Sequence, residues 1–202
     1  MVEGSTMVYA AVDGAYAGAI VLEDTVKAGA QEALADLHRL GVKESCMLTG
    51  DREAAAKLAA KSLGLTDYRA GLLPQDKLTE VQAMLDSGKT VAFVGDGVND
   101  APVLSLAQVG VAMGGVGSDA AVEASDLVLL KDDLSGLLRA LKIARRTISI
   151  ARQNIAFALI VKFGVMLLSI PGIANMWMAV FADVGVAMIC ILNSFRAMNS
   201  EV

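Results

Sequence analysis

The spacing of apolar and polar positions predicts a β-hairpin and then a helix at the start of the chain. Short apolar runs at residues 6–10 and 15–22 flank Asp13-Gly14, a dipeptide typical of a tight hairpin turn. From about residue 25 to residue 40 the apolar positions recur at helical spacing, and Gly41 follows as a C-terminal cap. The chain therefore opens with two paired strands followed by an amphipathic helix.

Strands and helices then alternate as far as about residue 130. Further strands are predicted near residues 44–48, 67–70, 90–94, 109–112 and 126–130. Helices are predicted near residues 52–63, 75–86, 99–106 and 118–124. This alternation is typical of an α/β fold with a doubly wound parallel sheet. In such sheets the chemistry lies at the carboxyl ends of the strands.

The pattern changes again after residue 135. A long helix is predicted over residues 135–152, amphipathic at its start. Beyond it lie two apolar runs, residues 153–170 and 173–195, separated by Pro171-Gly172. Each run holds a single charged residue, Lys162 in the first and Asp183 in the second. Because each is close to the ~20 residues that cross a bilayer, we expect a hairpin of two transmembrane helices.

The charge distribution separates the same two parts. The 202 residues carry a formal net charge of −5. Residues 1–144 hold 12 Lys/Arg and 20 Asp/Glu, whereas residues 145–202 hold 5 and 2. The basic residues near the first apolar run are Arg139, Lys142, Arg145, Arg146 and Arg152, and Arg196 follows the second run. By the positive-inside rule, the first part and the C-terminus are expected in the cytoplasm. The acidic first part argues against a nucleic-acid partner.

Cysteine and histidine are too scarce for several classes of protein. Cys46 and Cys190 are the two cysteines and His38 is the single histidine, and no CxxC pair occurs. A disulfide framework and a zinc finger are therefore not predicted. Residues 1–10 lack the basic and apolar regions of a secretory signal, so none is expected.

The strongest local signal is the string GDGVNDAP at residues 95–102, which follows an apolar strand. It places the carboxylates of Asp96 and Asp100 and the amide of Asn99 within five residues. Carboxylate oxygens suit Mg²⁺, which usually shares its ligands with a phosphate. The alternative is an ordinary turn rich in Asp, Asn and Gly.

Two shorter motifs lie at other predicted strand ends. Thr49-Gly50-Asp51 opens a helix, where backbone N–H groups and the Thr49 hydroxyl can meet an anion. Alternatively, Thr49 or Asp51 is an ordinary helix N-cap. The segment LPQDK at residues 73–77 contains Lys77, which taken alone is a solvated lysine.

Together the strings TGD, LPxDK and GDGxNDAP, in this order, resemble the phosphorylation domain of P-type ATPases. That domain has the haloacid-dehalogenase-like fold, here followed by the two-helix transmembrane hairpin. The resemblance continues through residues 113–114, 117–119 and 124–126. It implies that Thr49, in its motif with Gly50 and Asp51, contacts an aspartyl phosphate, which Lys77 neutralises. It further implies that Asp96 binds Mg²⁺ with Asp100 close by, and that Asn99 contacts the phosphate.

The chain also departs from that family's pattern. It contains no DKTGT string with the phosphorylated aspartate, no nucleotide-binding motifs, no TGE loop and no Cys-Pro-Cys motif. Residues 52–56 read REAAA where the family usually has a Thr-Ala pair. We therefore expect the C-terminal portion of a longer pump, whose ATP site lies mostly in the missing N-terminal part. The expected domains are the end of a nucleotide-binding domain (1–22), the phosphorylation domain (23–144), and a linker helix with spans at about 153–170 and 173–193 (145–202).

The charges of the hairpin suggest which ion is carried. Asn154, Lys162 and Asp183-Val184-Gly185, separated by seven and twenty residues, resemble the signature of the zinc, cadmium and lead branch of these pumps. The resemblance makes Asp183 the ligand of the transported ion and Lys162 its counter-charge. A purely structural ion pair is the alternative. Met166, Met176, Met178 and Met188 are soft donors that suit copper, but methionines more often pack. Cys190, two turns from Asp183, is a candidate soft ligand or a buried small residue.

Two functional hypotheses follow. The first is the C-terminal part of a Zn²⁺/Cd²⁺/Pb²⁺-exporting ATPase in the plasma or inner membrane, inactive without the rest of the pump. The second is a non-catalytic module, truncated or anchored to the membrane. A free-standing phosphatase of this fold is weaker, because neither Asp13 nor Asp24 has the surroundings of its nucleophile.

Overall fold

The computed structural model describes residues 6–22, 26–95, 98–114, 119–131 and 133–198. The chain forms two compact units, Met1–Leu138 and Arg139–Val202. The predicted site residue Asp96, with Gly97, lies outside the described residues, as do residues 117–118 of the GSD string.

The predicted hairpin is confirmed at the start of the first unit. Strands β1 (Thr6–Val12) and β2 (Ala15–Leu22) pair antiparallel, with a register shift between Ala10 and Ala11. Asp13 and Gly14 have φ angles of 51° and 79°. A two-residue hairpin turn of type I′ requires positive φ values at both of its central residues.

Short strands and helices alternate through the rest of the first unit, as predicted. The strands are β3 (Cys46–Leu48), β4 (Asp67–Arg69), β5 (Ala92–Gly95), β6 (Val109–Met113) and β7 (Leu127–Leu129). The helices are α1 (Ala30–Arg39), α2 (Glu53–Leu63), α3 (Pro74–Asp86), α4 (Ala101–Leu106) and α5 (Asp119–Glu123). All pairs among β3 to β7 are parallel.

These parallel strands form two pieces of sheet rather than one continuous sheet. One piece is β3–β4 and the other is β5–β6–β7, with β6 in the centre. Within the described ranges, β3 and β5 each pair on one side only. The backbone N–H and C=O groups along the other side of each strand are thus left to a partner outside the described sheet.

The first helix is shorter than predicted, and glycine accounts for the difference. The pattern favoured a helix from about residue 25, but α1 begins at Ala30. Gly29 has a φ angle of 81°, a left-handed conformation that ends any helical run before it. At the other end Gly41 donates to the carbonyl of His38 at 2.8 Å, as expected for a C-terminal cap.

The core of the first unit lies between the central strand β6 and the helices α3 and α4. Its most buried side chains are Val81, Val103, Leu104 and Val111. Gly110 lets β6 approach α4 closely, because an added Cβ would collide with the carbonyl oxygen of Leu104. Any larger residue at Gly110 would push the helix off the strand.

The second unit consists of two helical segments. Helix α6 (Ser135–Ser169) is continuous over 35 residues, so the predicted linker helix and first apolar run form one element. The predicted break is confirmed: α6 ends before Gly172, which has a φ angle of 73°. The second segment starts at Met176 instead of residue 173, since the side chain of Asn175 caps it by accepting from the backbone N–H of Met178 at 3.0 Å.

The second segment is not a regular α-helix throughout. It comprises α7 (Met176–Val180), a π-helical turn (Phe181–Gly185) and α8 (Val186–Ser194). By length and composition, α6 and the segment Met176–Ala197 are both able to cross a membrane.

Candidate functional site

The motif Thr49-Gly50-Asp51 forms a tight loop at the carboxyl end of β3. The Thr49 hydroxyl donates to Asp51 Oδ2 at 2.8 Å and accepts from the Asp51 backbone N–H at 3.1 Å. The N-cap of α2 is Arg52, whose side chain makes no capping hydrogen bond. The alternative that Thr49 or Asp51 caps this helix is therefore wrong, because their polar groups close the loop instead.

The loop that leads to the LPQDK motif is joined to this first loop by backbone hydrogen bonds. The N–H of Thr49 donates to the carbonyl of Arg69 at 3.0 Å, and the N–H of Leu72 donates to the carbonyl of Thr49 at 3.0 Å. The N–H of Gly71 donates to the carbonyl of Asp51 at 2.8 Å. Since β3 and β4 are parallel neighbours, these bonds hold both loops at one edge of the sheet.

Helix α3 then places Lys77 in its first turn. Pro74 is the first residue of the helix, where its missing N–H costs nothing. The backbone N–H of Leu73 donates to Asp76 Oδ2 at 2.8 Å, which satisfies one of the free N–H groups at the helix start. This start of α3 sets the position from which the Lys77 side chain extends.

Lys77 is not a solvated lysine. Its Nζ donates to Asp100 Oδ1 at 2.8 Å, and the two side chains are 20% and 12% exposed. Asp100 ends the 3₁₀ turn Val98–Asp100 after β5, so the pair connects the two pieces of sheet at their carboxyl ends. Gly95 allows this approach, because an added Cβ would lie 2.9 Å from the Cβ of Asp100.

The remaining predicted residues near this edge differ in their exposure. Asn99 is exposed beside the buried Asp100. Gly50 lies against the Leu72 carbonyl, 3.3 Å from where a Cβ would stand. Among the residues that the structure describes, no group of three His, Cys, Asp or Glu side chains is arranged to hold a metal ion. Asp100 is the buried carboxylate of this edge.

Ionisable groups at β4 and β3 have shifted pKa values. The backbone N–H of Tyr68, which donates to Asp67 at 2.8 Å, and then the Arg69 guanidinium lower the pKa of the Asp67 carboxyl. The hydrogen bond with Asp67 in turn raises the pKa of Arg69. Burial raises the pKa of the Cys46 thiol, so this cysteine stays protonated near neutral pH.

The second unit brings Lys162 and Asp183 together. Lys162 Nζ donates to Asp183 Oδ1 at 3.0 Å, although the residues are 21 positions apart. The side chains are 55% and 74% exposed. Asp183 is the middle residue of the π-helical turn, and π turns occur often at functional sites.

Sequence reasoning missed two groups near Asn154 and the role of Asp126. Asn193 and Ser194, which follow Cys190 by three and four residues, hydrogen-bond to Asn154 across the two helices. Their polarity within an apolar run was the available signal. Asp126, noted only as part of a motif, accepts from the backbone N–H of Gly110 at 2.8 Å and fixes the chain between α5 and β7.

Comparisons with known proteins agree with this geometry. A family model described as haloacid dehalogenase-like hydrolase matches residues 3–108, and a second model with the same description matches residues 76–141. The chain is 51% identical over 198 residues to a cadmium, zinc and cobalt-transporting ATPase of Bacillus subtilis. It is 50% identical over 193 residues to a zinc-transporting ATPase of Synechocystis.

A solved structure is similar over the same extent. The crystal structure of a zinc-transporting PIB-type ATPase in the E2.Pi state matches with a TM-score of 0.87 at 39% identity, covering 97% of this chain and 32% of that one. The two curated relatives are matched over 96% and 95% of this chain. The chain spans 28% and 27% of their lengths.

The parallel α/β architecture, the TGD, LPQDK and GDGVNDAP strings and the matched family model agree. The chain belongs to the haloacid dehalogenase-like hydrolase family, and over nearly its whole length it is similar to cadmium- and zinc-transporting P-type ATPases.

Proposed function

We propose that this chain forms part of an ATP-driven exporter of divalent heavy-metal cations of the Zn²⁺/Cd²⁺ class, working through an aspartyl phosphate. The observation that carries the proposal is the contact of Lys162 with Asp183 on two helices long and apolar enough to span a membrane. A charge in the middle of a bilayer costs about 2.5 to 3.5 kcal/mol on insertion scales and is usually functional. The names of the relatives, which transport cadmium, zinc or cobalt, support the same class of ion.

The carboxyl-end edge of the first unit handles the phosphoryl group. An aspartate carboxylate supplied by another segment of the pump forms a bond to the γ-phosphorus, and the bond to the ADP oxygen breaks. Lys77 neutralises charge on the transferred group, and Asn99 contacts one of its oxygens. The Thr49 hydroxyl donates to another oxygen in place of its hydrogen bond to Asp51, since it has a single hydrogen to donate. Phosphoryl transfer depends chiefly on such positioning and charge stabilisation, which supports these roles.

The donor set at this edge fits Mg²⁺. Mg²⁺ is commonly held by one or two carboxylates, with water and substrate phosphate completing its shell. Asp100 is a buried carboxylate beside Gly95, and Asp96 belongs to the same motif outside the described residues. Asp96 and Asp100 would hold the ion, which neutralises phosphate charge when bound.

The open sides of β3 and β5 support a nucleophile that comes from elsewhere in the pump. Each strand pairs on one side only within the described sheet, and both end at the edge that carries Thr49 and Asp100. A further parallel strand between them would satisfy the backbone groups of both. Its carboxyl end would then lie beside Lys77, where a phosphorylated aspartate is needed.

In the membrane, Asp183 binds the transported ion and Lys162 provides a counter-charge that favours release. The arginines before the first span and Arg196 after the second support a cytoplasmic first unit and C-terminus. The lipid bilayer and the N-terminal part of the pump are the partners of this chain, and ATP binds mostly outside it.

The proposal is tested in the complete pump, purified and reconstituted in liposomes. Asp183→Ala removes the ion ligand, so zinc-stimulated ATP hydrolysis should fall to the unstimulated level. Val184→Ala, which changes an exposed apolar neighbour in the same turn, is the matched control and should keep normal stimulation.

Normal zinc stimulation in Asp183→Ala would overturn the assignment of the ligand. Stimulation of the parent pump by Cu⁺ but not by Zn²⁺ would overturn the class of ion. The chain by itself, incubated with ATP and Mg²⁺, should give no acid-stable phosphoenzyme, because it contains no DKTGT string. An aspartyl phosphate on this chain alone would contradict the placement of the nucleophile outside it.

A further inference from the structure

A hydrogen-bonded cluster joins α6 to α8 away from the Lys162–Asp183 pair. Its centre is Asn154, whose Nδ2 donates to the Cys190 carbonyl at 3.1 Å and to Ser194 Oγ at 3.0 Å. Asn193 Nδ2 donates to Asn154 Oδ1 at 2.8 Å. The Cys190 thiol donates to the backbone carbonyl of Asn154 at 3.6 Å. We call these four residues the clasp.

The clasp occupies the polar atoms of Asn154. The Cys190 carbonyl can only accept, so the NH₂ group of the amide must face it. The oxygen of the amide is then turned toward Asn193, which donates to it. Both amide hydrogens of Asn154 donate hydrogen bonds and its amide oxygen accepts one, so this side chain is not arranged as a metal ligand.

The clasp and the ion pair lie at matching distances along the two segments. Asn154 precedes Lys162 by eight residues on α6, and Cys190 follows Asp183 by seven residues on the other segment. The two contacts therefore define one antiparallel register. A slip by one helical turn, about 5.4 Å, would break both.

We propose that the clasp sets the register of α6 against α8 and thereby positions Lys162 opposite Asp183, with Asn154 as a positioning residue and not an ion ligand. For its effect on transport, this inference rests on the proposed function. Asp183 lies in the π-helical turn, and this turn by itself does not fix the direction of the Asp183 side chain. A separate contact such as the clasp is therefore needed to fix the register.

The first experiment measures the register directly in the complete protein in liposomes. Spin labels carried by p-acetylphenylalanine replace the exposed residues Ile148 and Trp177, and their separation is measured by double electron–electron resonance. These residues precede Lys162 and Asp183 on antiparallel segments and are offset by about 30 Å along the helix axes, so a slip changes their separation almost in full. Asn154→Leu should shift or broaden the distance distribution by several Å, up to about one helical turn. Gln153→Leu is the matched control and should leave the distribution unchanged, since the hydrogen bond that its side chain makes among the described residues stays within α6, to Ser149 at 3.5 Å.

The second experiment separates positioning from ligation and from general destabilisation. In zinc-stimulated hydrolysis, Asn154→Leu and Asn193→Leu should each lower kcat, roughly tenfold, more than they change the KM for zinc, because they displace the counter-charge that favours release. If Asn154 acts by placing Lys162, Asn154→Leu should have no further effect on that kcat in a Lys162→Ala background.

Each outcome decides the inference. An unchanged distance in Asn154→Leu, or an equal shift in Gln153→Leu, overturns it. The inference is also overturned if the effects of Asn154→Leu and Lys162→Ala multiply in the double variant. A KM for zinc that is raised by Asn154→Leu but not by Asn193→Leu overturns it in favour of a ligand role for Asn154. If the parent protein shows no zinc stimulation, the proposed function fails, and the spin-label distances still decide the register.

Discussion

The two units of this chain each contain a lysine–aspartate pair, and the surroundings of the pairs differ. Lys77 and Asp100 lie 2.8 Å apart with side chains 20% and 12% exposed. Lys162 and Asp183 lie 3.0 Å apart with side chains 55% and 74% exposed. The first pair is enclosed by the chain's own loops, whereas the second is open on helices whose other sides are apolar.

The comparison shows how each unit offsets the cost of its charges. In the first unit both members are largely removed from water, so each depends on the other and on neighbouring backbone. In the second unit the described residues give the pair little enclosure, and in the proposed pump lipid and other segments would surround it. We therefore propose that the enclosed pair is a preformed element of the phosphoryl site, and that the open pair exchanges the Lys162 contact of Asp183 for an ion.

The largest predicted effect concerns the enclosed pair. Lys77→Ala removes the cation that we propose neutralises the phosphoryl group, and it also leaves Asp100 as a buried carboxylate without its partner. Phosphoenzyme formation from ATP by the complete pump should fall by roughly 10²- to 10³-fold, the usual loss for one preorganised group that stabilises the transition state. The measurement is the initial rate of ³²P incorporation.

Lys89→Ala is the control for that experiment. Lys89 also pairs with a carboxylate, Glu44, but their side chains are 49% and 61% exposed and lie away from the motifs. A solvated pair of this kind contributes little, so the rate should stay near that of the parent. Equal losses in both variants would show that enclosure does not distinguish the two lysines.

The elements of the fold were predictable from the sequence because their signals are local. Alternation, helical spacing and the Asp13-Gly14 turn gave the order of strands and helices from neighbouring residues. The division of the sheet between β3 and β5 was not predictable, since strand pairing depends on residues distant in the chain. The start of α1 was misplaced for a local reason, the left-handed conformation of Gly29.

The sites show the same limit. The motifs indicated Lys77 and Asp100, but no spacing rule predicts that a residue in the first turn of α3 reaches a 3₁₀ turn 23 positions later. An ion pair between Lys162 and Asp183, the single charged residues of the two apolar runs, was considered from the sequence, and the structure brings them together. The π-helical turn and the bonds of Asn193 and Ser194 depend on tertiary contacts, which single-sequence patterns do not contain.

A smaller effect is predicted for the open pair. Lys162→Ala removes the proposed counter-charge but leaves the proposed ion ligand, Asp183, in place. Zinc should therefore still bind, and its release should slow, with turnover reduced roughly tenfold, the scale of neighbouring groups that tune a metal ligand. The measurement is steady-state zinc-stimulated hydrolysis together with ⁶⁵Zn retention by the trapped pump.

Lys162→Arg sharpens this prediction, because it keeps the charge in a bulkier, forked group. It should recover most of the turnover if charge alone matters to release. Turnover in Lys162→Ala equal to the parent's would show that the pair is a structural contact, which was the alternative considered from the sequence.

The smallest effect concerns a third, solvated pair, which calibrates the other two. Asp67 and Arg69, the first and last residues of β4, lie 2.8 Å apart, with side chains 50% and 43% exposed. Because the pKa of Asp67 is lowered in the folded chain, by the Tyr68 N–H and then by Arg69, its charge stabilises the fold above the unfolded pKa. That contribution is lost as the pH falls through the lowered folded pKa. At this exposure the contribution of the Asp67 charge to the free energy of unfolding is about 0.5 kcal/mol or less.

Asp67→Asn keeps an oxygen that can accept from Tyr68, so the melting temperature at pH 7 should fall by no more than about 2 °C. The difference between variant and parent should shrink as the pH falls below the unfolded pKa of Asp67 and vanish once its carboxyl is protonated in both states. A larger difference in melting temperature, or one that grows as the pH falls, would mean that solvated pairs contribute as much to stability as enclosed pairs. The contrast between Lys77–Asp100 and Lys162–Asp183 could then not be explained by enclosure.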